Sequence, residues 1–392
     1  MSRSRTYLDY NATAPVPGAV RDAVCDALDL VGNPSSIHAE GRAARALVEG
    51  ARHKVAALVG AGSQDLIFTG SGTEANNMVF VAGPDGAGDW DRVFVSSLEH
   101  ASVLAPARSS AERTGRPCTV IPALSSGLID INWLARELHA LRDRDELKAG
   151  TLISVQAANN ETGAVQPIED VAAMAAEFAV RCHVDAVQAP GKTACDLARL
   201  GIDYLTLSGH KIGGPKGIGA LIAKPGAKLR PLIAGGGQER RHRAGTENVA
   251  AIAGFGVAAE LVVARPQELA RLEGLRHRLE SEVRRMTPTA VIIASEAERL
   301  ANTSCIALPG RRAETLVIAL DLAGIAVSAG SACSSGKVAR SHVLDAMGLA
   351  PEIAEGAIRV SLGWRTSEAD IDAFLGAWNA IAGEGIASRE VA

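Results

Sequence analysis

Two hydrophobic rhythms alternate along the first two-thirds of the chain. Short apolar runs bounded by Gly, Ser or Asp recur at "DLIFTG" (65–70), "RVFVSS" (92–97), "TLISVQ" (151–156), "CHVDAV" (182–187), "YLTLSG" (204–209) and "GALIAK" (219–224). They are too short for helices and rich in Val, Leu and Ile, so they predict strands. Between most of them lie helical patterns. In "SIHAEGRAARALVEGARHKVAALVG", Leu47, Val48, Ala51, Val55, Leu58 and Val59 recur at helical spacing before Gly60 supplies a stop. Such alternation predicts an α/β fold, a mostly parallel sheet with helices on both faces. Ligands in that architecture gather at the carboxyl ends of the strands.

The pattern changes near residue 260. "PQELARLEGLRHRLESEVRRM" sets Leu269, Leu272, Leu275, Leu279, Val283 and Met286 on one stripe, which predicts an amphipathic helix opened by Pro266. Shorter mixed elements follow, at "TSCIALPG", "AETLVIALDLAGIAVSAG" and "EGAIRVSLG", with a closing helix from about Glu368. Residues 15–260 therefore read as a large domain, and 1–14 with 261–392 as a smaller α+β domain.

The 392 residues are 47% apolar and 21% charged, enough for a sizeable core and against wholesale disorder. A net charge of −4 without a long basic run gives no reason to expect nucleic acid or an anionic membrane as partner. The N-terminal "MSRSRTYLDYNATAPV" lacks the apolar core of a secretory leader. Cys25, Cys118, Cys182, Cys195, Cys305 and Cys333 form no C-x-x-C pair, so neither a disulfide framework nor a structural zinc site is expected. A cytoplasmic location, where free thiols survive, is the expectation.

Candidate chemistry sits at successive strand ends. "TGSGTEANN" (69–77) follows a strand and opens a helix, an arrangement that suits either an ordinary turn or a lone phosphate. In "LSGHKIGGPKGIGAL" (207–221), Lys211 stands between His210 and a Gly-rich turn, as a loop lysine or as an amine that bonds an aldehyde. "VDAVQAPGK" (184–192) sets Asp185 at a strand end, as a turn cap or as partner to a buried cation. "AANNETG" and "SLEHAS" add Asn160 and His100. "SAGSACSSGK" (328–337) places Cys333 among Ser, Gly and Ala, where a structural thiol finds little to pack against. It is either part of a linker or a nucleophile on a flexible arm.

Taken in order with "LDYNATAPV", "GNPSSIHAEGR", "GGGQERRHRAGTENV", "SHVLDAMG" and "IRVSLG", these motifs resemble the cysteine desulfurases of the NifS/IscS group, from about Tyr7 to Asp372. Those are class V aminotransferase-like enzymes of pyridoxal-phosphate fold-type I. The resemblance implies a seven-stranded, mostly parallel sheet and pyridoxal 5'-phosphate as cofactor. It casts Lys211 as the Schiff-base lysine, Asp185 as partner of the ring nitrogen, Asn160 and Gln188 as partners of the phenolic oxygen, and His100 as the stacking ring and proton shuttle. Gly72, Thr73, Ser208 and His210 would hold the phosphate, with Thr246 supplied across a homodimer. Arg359 would clamp the substrate carboxylate, with Asn33 nearby.

The implied reaction converts L-cysteine to L-alanine. Lys211 removes a proton, and the Cys333 thiolate takes the substrate sulfur as a persulfide. The sulfur then passes to an iron–sulfur scaffold or another acceptor protein, with transient cluster contact through Cys333. No metal site is implied. Another enzyme of the same fold type, a selenocysteine lyase or an aminotransferase, would keep Lys211 and Asp185 without needing Cys333. Tyr10 and Ala14 stand where many relatives carry Asn and Thr, a difference expected to be neutral.

Overall fold

The structure, a computed structural model, describes residues 5–83, 88–193, 196, 198–330 and 340–387. A seven-stranded sheet runs in the order Leu66–Thr69, Gly219–Ala223, Tyr204–Ser208, Arg181–Asp185, Thr151–Gln156, Arg92–Ser96, Cys118–Ile121. Gly219–Ala223 pairs antiparallel with both neighbours, and every other pairing is parallel. All six strands expected from the apolar runs are present. The seventh, Cys118–Ile121, lies at the edge with three of its four residues only partly buried or exposed.

Period-two alternation places helices on both faces. Ile67, Val93, Val95, Leu152, Tyr204 and Leu221 pack with the helices Gly72–Ala82 and Ala101–Thr114. Their neighbours Phe68, Phe94, Ile153, Leu205 and Ile222 enter the opposite core with Ala39–Ala57, Ile131–Asp143, Ile168–Glu177 and Val249–Val263. On Ala39–Ala57, Val48, Ala51 and Val55 are buried as expected, whereas Leu47 is exposed.

A third core unites Leu8 with Leu272, Leu275, Leu279, Leu316, Ile358, Phe374 and Trp378. It lies against a four-stranded sheet ordered Ser328–Ala329, Ala357–Ser361, Thr303–Ala307, Val291–Ile293. The amphipathic helix beneath it runs Glu268–Met286. Pro266 precedes its cap, Gln267, and does not open it, because a turn at 266–267 closes first. Tyr10 is buried, and a Cβ on Gly363 would lie 1.9 Å from its ring. The fold requires glycine there because of this tyrosine.

Candidate active site

The first strand ends at Thr69 and the chain turns at once into the helix Gly72–Ala82. Ser71 caps it, its Oγ accepting from Glu74 N at 3.0 Å. Space at this turn is set by glycine. A Cβ on Gly219 would lie 2.4 Å from the carbonyl carbon of Ser71 and 2.6 Å from Gly72 N, while one on Gly72 would lie 3.0 Å from Val187 Cγ2 and 3.2 Å from Ser208 Cβ. The helix N-terminus is thus pressed against two strand ends. Its first-turn N–H groups and dipole form an anion cradle. Thr73 faces a cavity of about 530 Å³ that His100 and Ser102 also line.

Asp185 ends its strand buried. Oδ1 accepts from Val187 N at 3.0 Å and Oδ2 from Asn76 Nδ2 at 2.9 Å. His100 caps Ala101–Thr114 through Nδ1, which accepts from Ser102 N at 3.1 Å and lies 2.8 Å from Ser102 Oγ. A backbone N–H can only donate, so Nδ1 accepts and the neutral ring carries its proton on Nε2. Burial holds His100 below the ordinary imidazole value; Lys211 and His342 act the same way and Asp185 opposes them. Next to it, burial drives the Glu99 carboxyl well up, and the charge of Asp185 adds to the effect.

Lys211 ends the short turn Gly209–Lys211 just after Ser208. Among its bonds, Nζ donates to the carbonyls of Asn11 at 2.6 Å and Ala12 at 3.1 Å. Burial, with the cations Lys211, Lys192 and Lys216, takes His210 down to about 4, so that ring is neutral. Its Nδ1 is 3.3 Å from Thr13 Oγ1. Gln188 donates from Nε2 to Asn11 O at 3.0 Å, and its Oε1 accepts from the buried Lys192. Arg359 donates to Asp9 Oδ1 at 2.7 Å and to Asn160 O at 3.1 Å, and its buried Nε makes no hydrogen bond among the described residues.

The fold therefore gathers Gly72, Thr73, His100, Asn160, Asp185, Gln188, Ser208, His210, Lys211 and Arg359 at adjoining strand and helix ends. Two expected residues stand apart. Asn33 is exposed, its Oδ1 accepting from Ser35 N at 2.9 Å within its own turn. Thr246 is exposed on the segment before Val249–Val263. Cys333 lies outside the described residues, but both flanks of its segment reach the site. Ser328 Oγ donates to Asp9 Oδ2 at 2.8 Å, Ser341 Oγ to Glu161 Oε2 at 2.6 Å, and His342 Nε2 to Glu99 O at 2.9 Å.

The sequence reading passed over two residues. Asn11 links Lys211, Gln188, Lys192 and Thr303. Asn76 links Asp185 to Ser102. A signal for Asn76 was present: it lies on the buried stripe of its helix with Gly72, Ala75 and Val79, where a polar residue needs a partner.

An anion cradle that a methyl group would fill, an amine, a buried carboxylate and a guanidinium nitrogen without a partner among the described residues suit a phosphorylated, aldehyde-bearing aromatic cofactor carrying a carboxylate-bearing substrate. That donor set on this sheet defines a pyridoxal-phosphate enzyme. The model of the family described as aminotransferase class-V matches residues 6–374. "Cysteine desulfurase IscS" of Dictyoglomus turgidum is 39% identical, over 94% of this chain and 92% of its own length. A solved NifS-like protein from Rickettsia africae superposes with a TM-score of 0.85 at 34% identity, covering 96% of this chain and 99% of that one. A structure described as SspA in complex with cysteine gives 0.76 at 30% identity, covering 92% and 99%. The chain belongs to the aminotransferase class-V family.

Proposed function

We propose that this chain is a cysteine desulfurase that converts L-cysteine to L-alanine and leaves the sulfur as a persulfide on Cys333. The observation that carries the reading is the seating of both flanks of the Cys333 segment on the site. Ser328 is tied to Asp9, the partner of Arg359, and His342 to the backbone beside His100. An aminotransferase has no need of a thiol there. The resemblance to cysteine desulfurases along nearly the whole chain supports the same reading.

Gly72, Thr73, Ser208 and His210 would hold the cofactor phosphate, Asp185 the ring nitrogen, Asn160 and Gln188 the phenolic oxygen, and Lys211 the reactive carbon. Bound there, pyridoxal phosphate supplies the electron sink for the bonds that break at the substrate. Arg359 holds the substrate carboxylate; its planar fork suits two parallel bonds, and Nε is the donor not yet used. Lys211 takes the Cα proton and later returns one. The Cys333 thiolate attacks the substrate sulfur: an S–S bond forms, the C–S bond breaks, and its electron pair stays on carbon. His100, with its proton on Nε2, donates where charge develops. The balance is L-cysteine plus one thiol giving L-alanine plus one persulfide.

The protein acts as a homodimer in this reading, with Thr246 completing the partner's phosphate site, which accounts for its exposure within one chain. The persulfide sulfur passes to an iron–sulfur scaffold or another acceptor protein in the cytoplasm. The test compares the chain with Cys333→Ala on L-cysteine under reducing conditions. Equimolar alanine and sulfide, both lost in the variant, support the reading. Equal turnover by the two proteins, or turnover confined to selenocysteine, overturns it.

A further inference from the structure

We propose that Asn76 is a positioning residue that sets the direction of a hydrogen-bond relay from Asp185 through Ser102 to His100, and so gives Nδ1 of His100 a second donor beside the Ser102 N–H, reinforcing the tautomer that carries its proton on Nε2. This rests on the proposed role of His100 in the reaction.

Asn76 is fully buried, four residues into the helix that forms the anion cradle. Its Nδ2 has two hydrogens, and both are used: one goes to Asp185 Oδ2 at 2.9 Å, the other to Ser102 Oγ at 3.0 Å. A carboxylate only accepts, so the nitrogen must face Asp185; the flipped amide would set oxygen against oxygen. Ser102 Oγ, having accepted from Asn76, has one hydrogen left, and the group in reach is His100 Nδ1 at 2.8 Å. With Ser102 N at 3.1 Å, Nδ1 then receives two donors and stays unprotonated. One amide thereby keeps Asp185 supplied with a donor and turns the Ser102 hydroxyl onto Nδ1, adding to the backbone N–H in holding the His100 proton on Nε2.

The two ends of Asn76 are used unequally. Oδ1 is buried and makes no hydrogen bond among the described residues. An unpaired buried carbonyl costs about 1–3 kcal/mol, which a leucine of similar shape would avoid. The asparagine is kept for what its nitrogen donates.

The test follows the His100 ring by nitrogen NMR in the holoenzyme, for wild type, Asn76→Leu, Asn76→Asp and Ser102→Ala. The ionisable groups that face His100 are Asp185, Lys211 and His342, and Ser102→Ala touches none of them, whereas the Asn76 variants also take a donor from Asp185. Wild type is expected to show the Nε2–H tautomer. Loss of the hydroxyl donor in Ser102→Ala, or of its orientation in Asn76→Leu, raises the ring's pKa by about one unit. Asn76→Asp sets a second carboxylate on Asp185 and also moves the pH titration of the cofactor absorbance. A wild-type ring protonated on Nδ1, or identical ring titrations in wild type and Ser102→Ala, overturns the relay. If Asn76→Leu does not fold, the other two variants decide. The signal is the ring's proton, so it stands even if cysteine is not the substrate.

Discussion

Arg359 and Asp9 meet at 2.7 Å inside the protein, the guanidinium almost wholly shielded and the carboxylate nearly so. Asp9 also accepts from Ser328, so a single carboxylate orients the proposed substrate clamp and one flank of the Cys333 segment. Lysine cannot reproduce the fork that reaches Asp9, Asn160 and a substrate carboxylate at once. Arg359→Lys is expected to lower kcat/KM for L-cysteine by about 2–3 kcal/mol, roughly 30- to 150-fold, chiefly through KM. Steady-state kinetics with an unchanged cofactor spectrum check this. An unaltered KM would remove Arg359 from the substrate site.

Glu161, hydrogen-bonded to Ser341, has its carboxyl raised by burial from 4.5 to about 7, although Ser341 and Arg359 pull the other way. The folded chain therefore holds a proton here that the unfolded chain has released between about pH 4.5 and 7, and stability falls as pH rises through that window. Glu161→Gln keeps an acceptor for Ser341 and removes the titration. Its stability relative to wild type should gain of the order of 3 kcal/mol on going from pH 4.5 to pH 8. Urea denaturation of both proteins across that range reads the difference. A constant offset would mean that Glu161 is ionised throughout.

Gly219 lies against the backbone of the cradle, whereas Gly274, in the helix Glu268–Met286, would direct a methyl group into open space. Gly219→Ala should cost about 1–3 kcal/mol and release cofactor more readily, since the cradle itself must shift. Gly274→Ala should stabilise the protein by about 0.5–1 kcal/mol. Thermal melts and dialysis against cofactor-free buffer separate the two. Equal effects would show that the cradle is not tightly packed.

Arg52 and Glu239 form a shielded pair, at 2.6 and 2.9 Å, and Glu239 also accepts from Phe68 N at 2.9 Å. This ties the turn before Thr246 to the first strand of the sheet, through three consecutive residues with positive φ, Glu239, Arg240 and Arg241. Glu239→Ala takes the buried carboxylate from the Arg52 guanidinium, leaving it the half-exposed Glu49 and the Leu66 carbonyl, and should cost about 3 kcal/mol, more than Arg52→Met with Glu239→Leu together. Denaturant titration of the single and double variants checks the order. A double variant worse than the single one would mean that the pair contributes more than its mutual attraction.

How far the fold was legible depended on burial. Five strands of the large sheet have neighbours on both sides and so carry mostly apolar runs, such as Leu152, Ile153 and Val155, and Leu66–Thr69, though at an edge, is buried along its whole length. The other edge strand, Cys118–Ile121, meets water and carries no such demand. Lys211, Asp185 and His100 were legible because polar residues stood just past apolar strands. Asn11 was not, since its links to Lys192 and Thr303 bridge residues 181 and 292 positions away, which only the fold brings near. The role expected for Asn33 finds no counterpart within one chain, where the residue closes its own turn.

The central claim is that substrate sulfur comes to rest on Cys333. The direct measurement is mass spectrometry of the Cys333 peptide after the holoenzyme has met stoichiometric L-cysteine without reductant, with thiols trapped by alkylation. One additional sulfur atom on Cys333, matched by one released alanine and absent from the peptides of Cys25, Cys118, Cys182, Cys195 and Cys305, is the predicted result. Alanine released with Cys333 unmodified would contradict it.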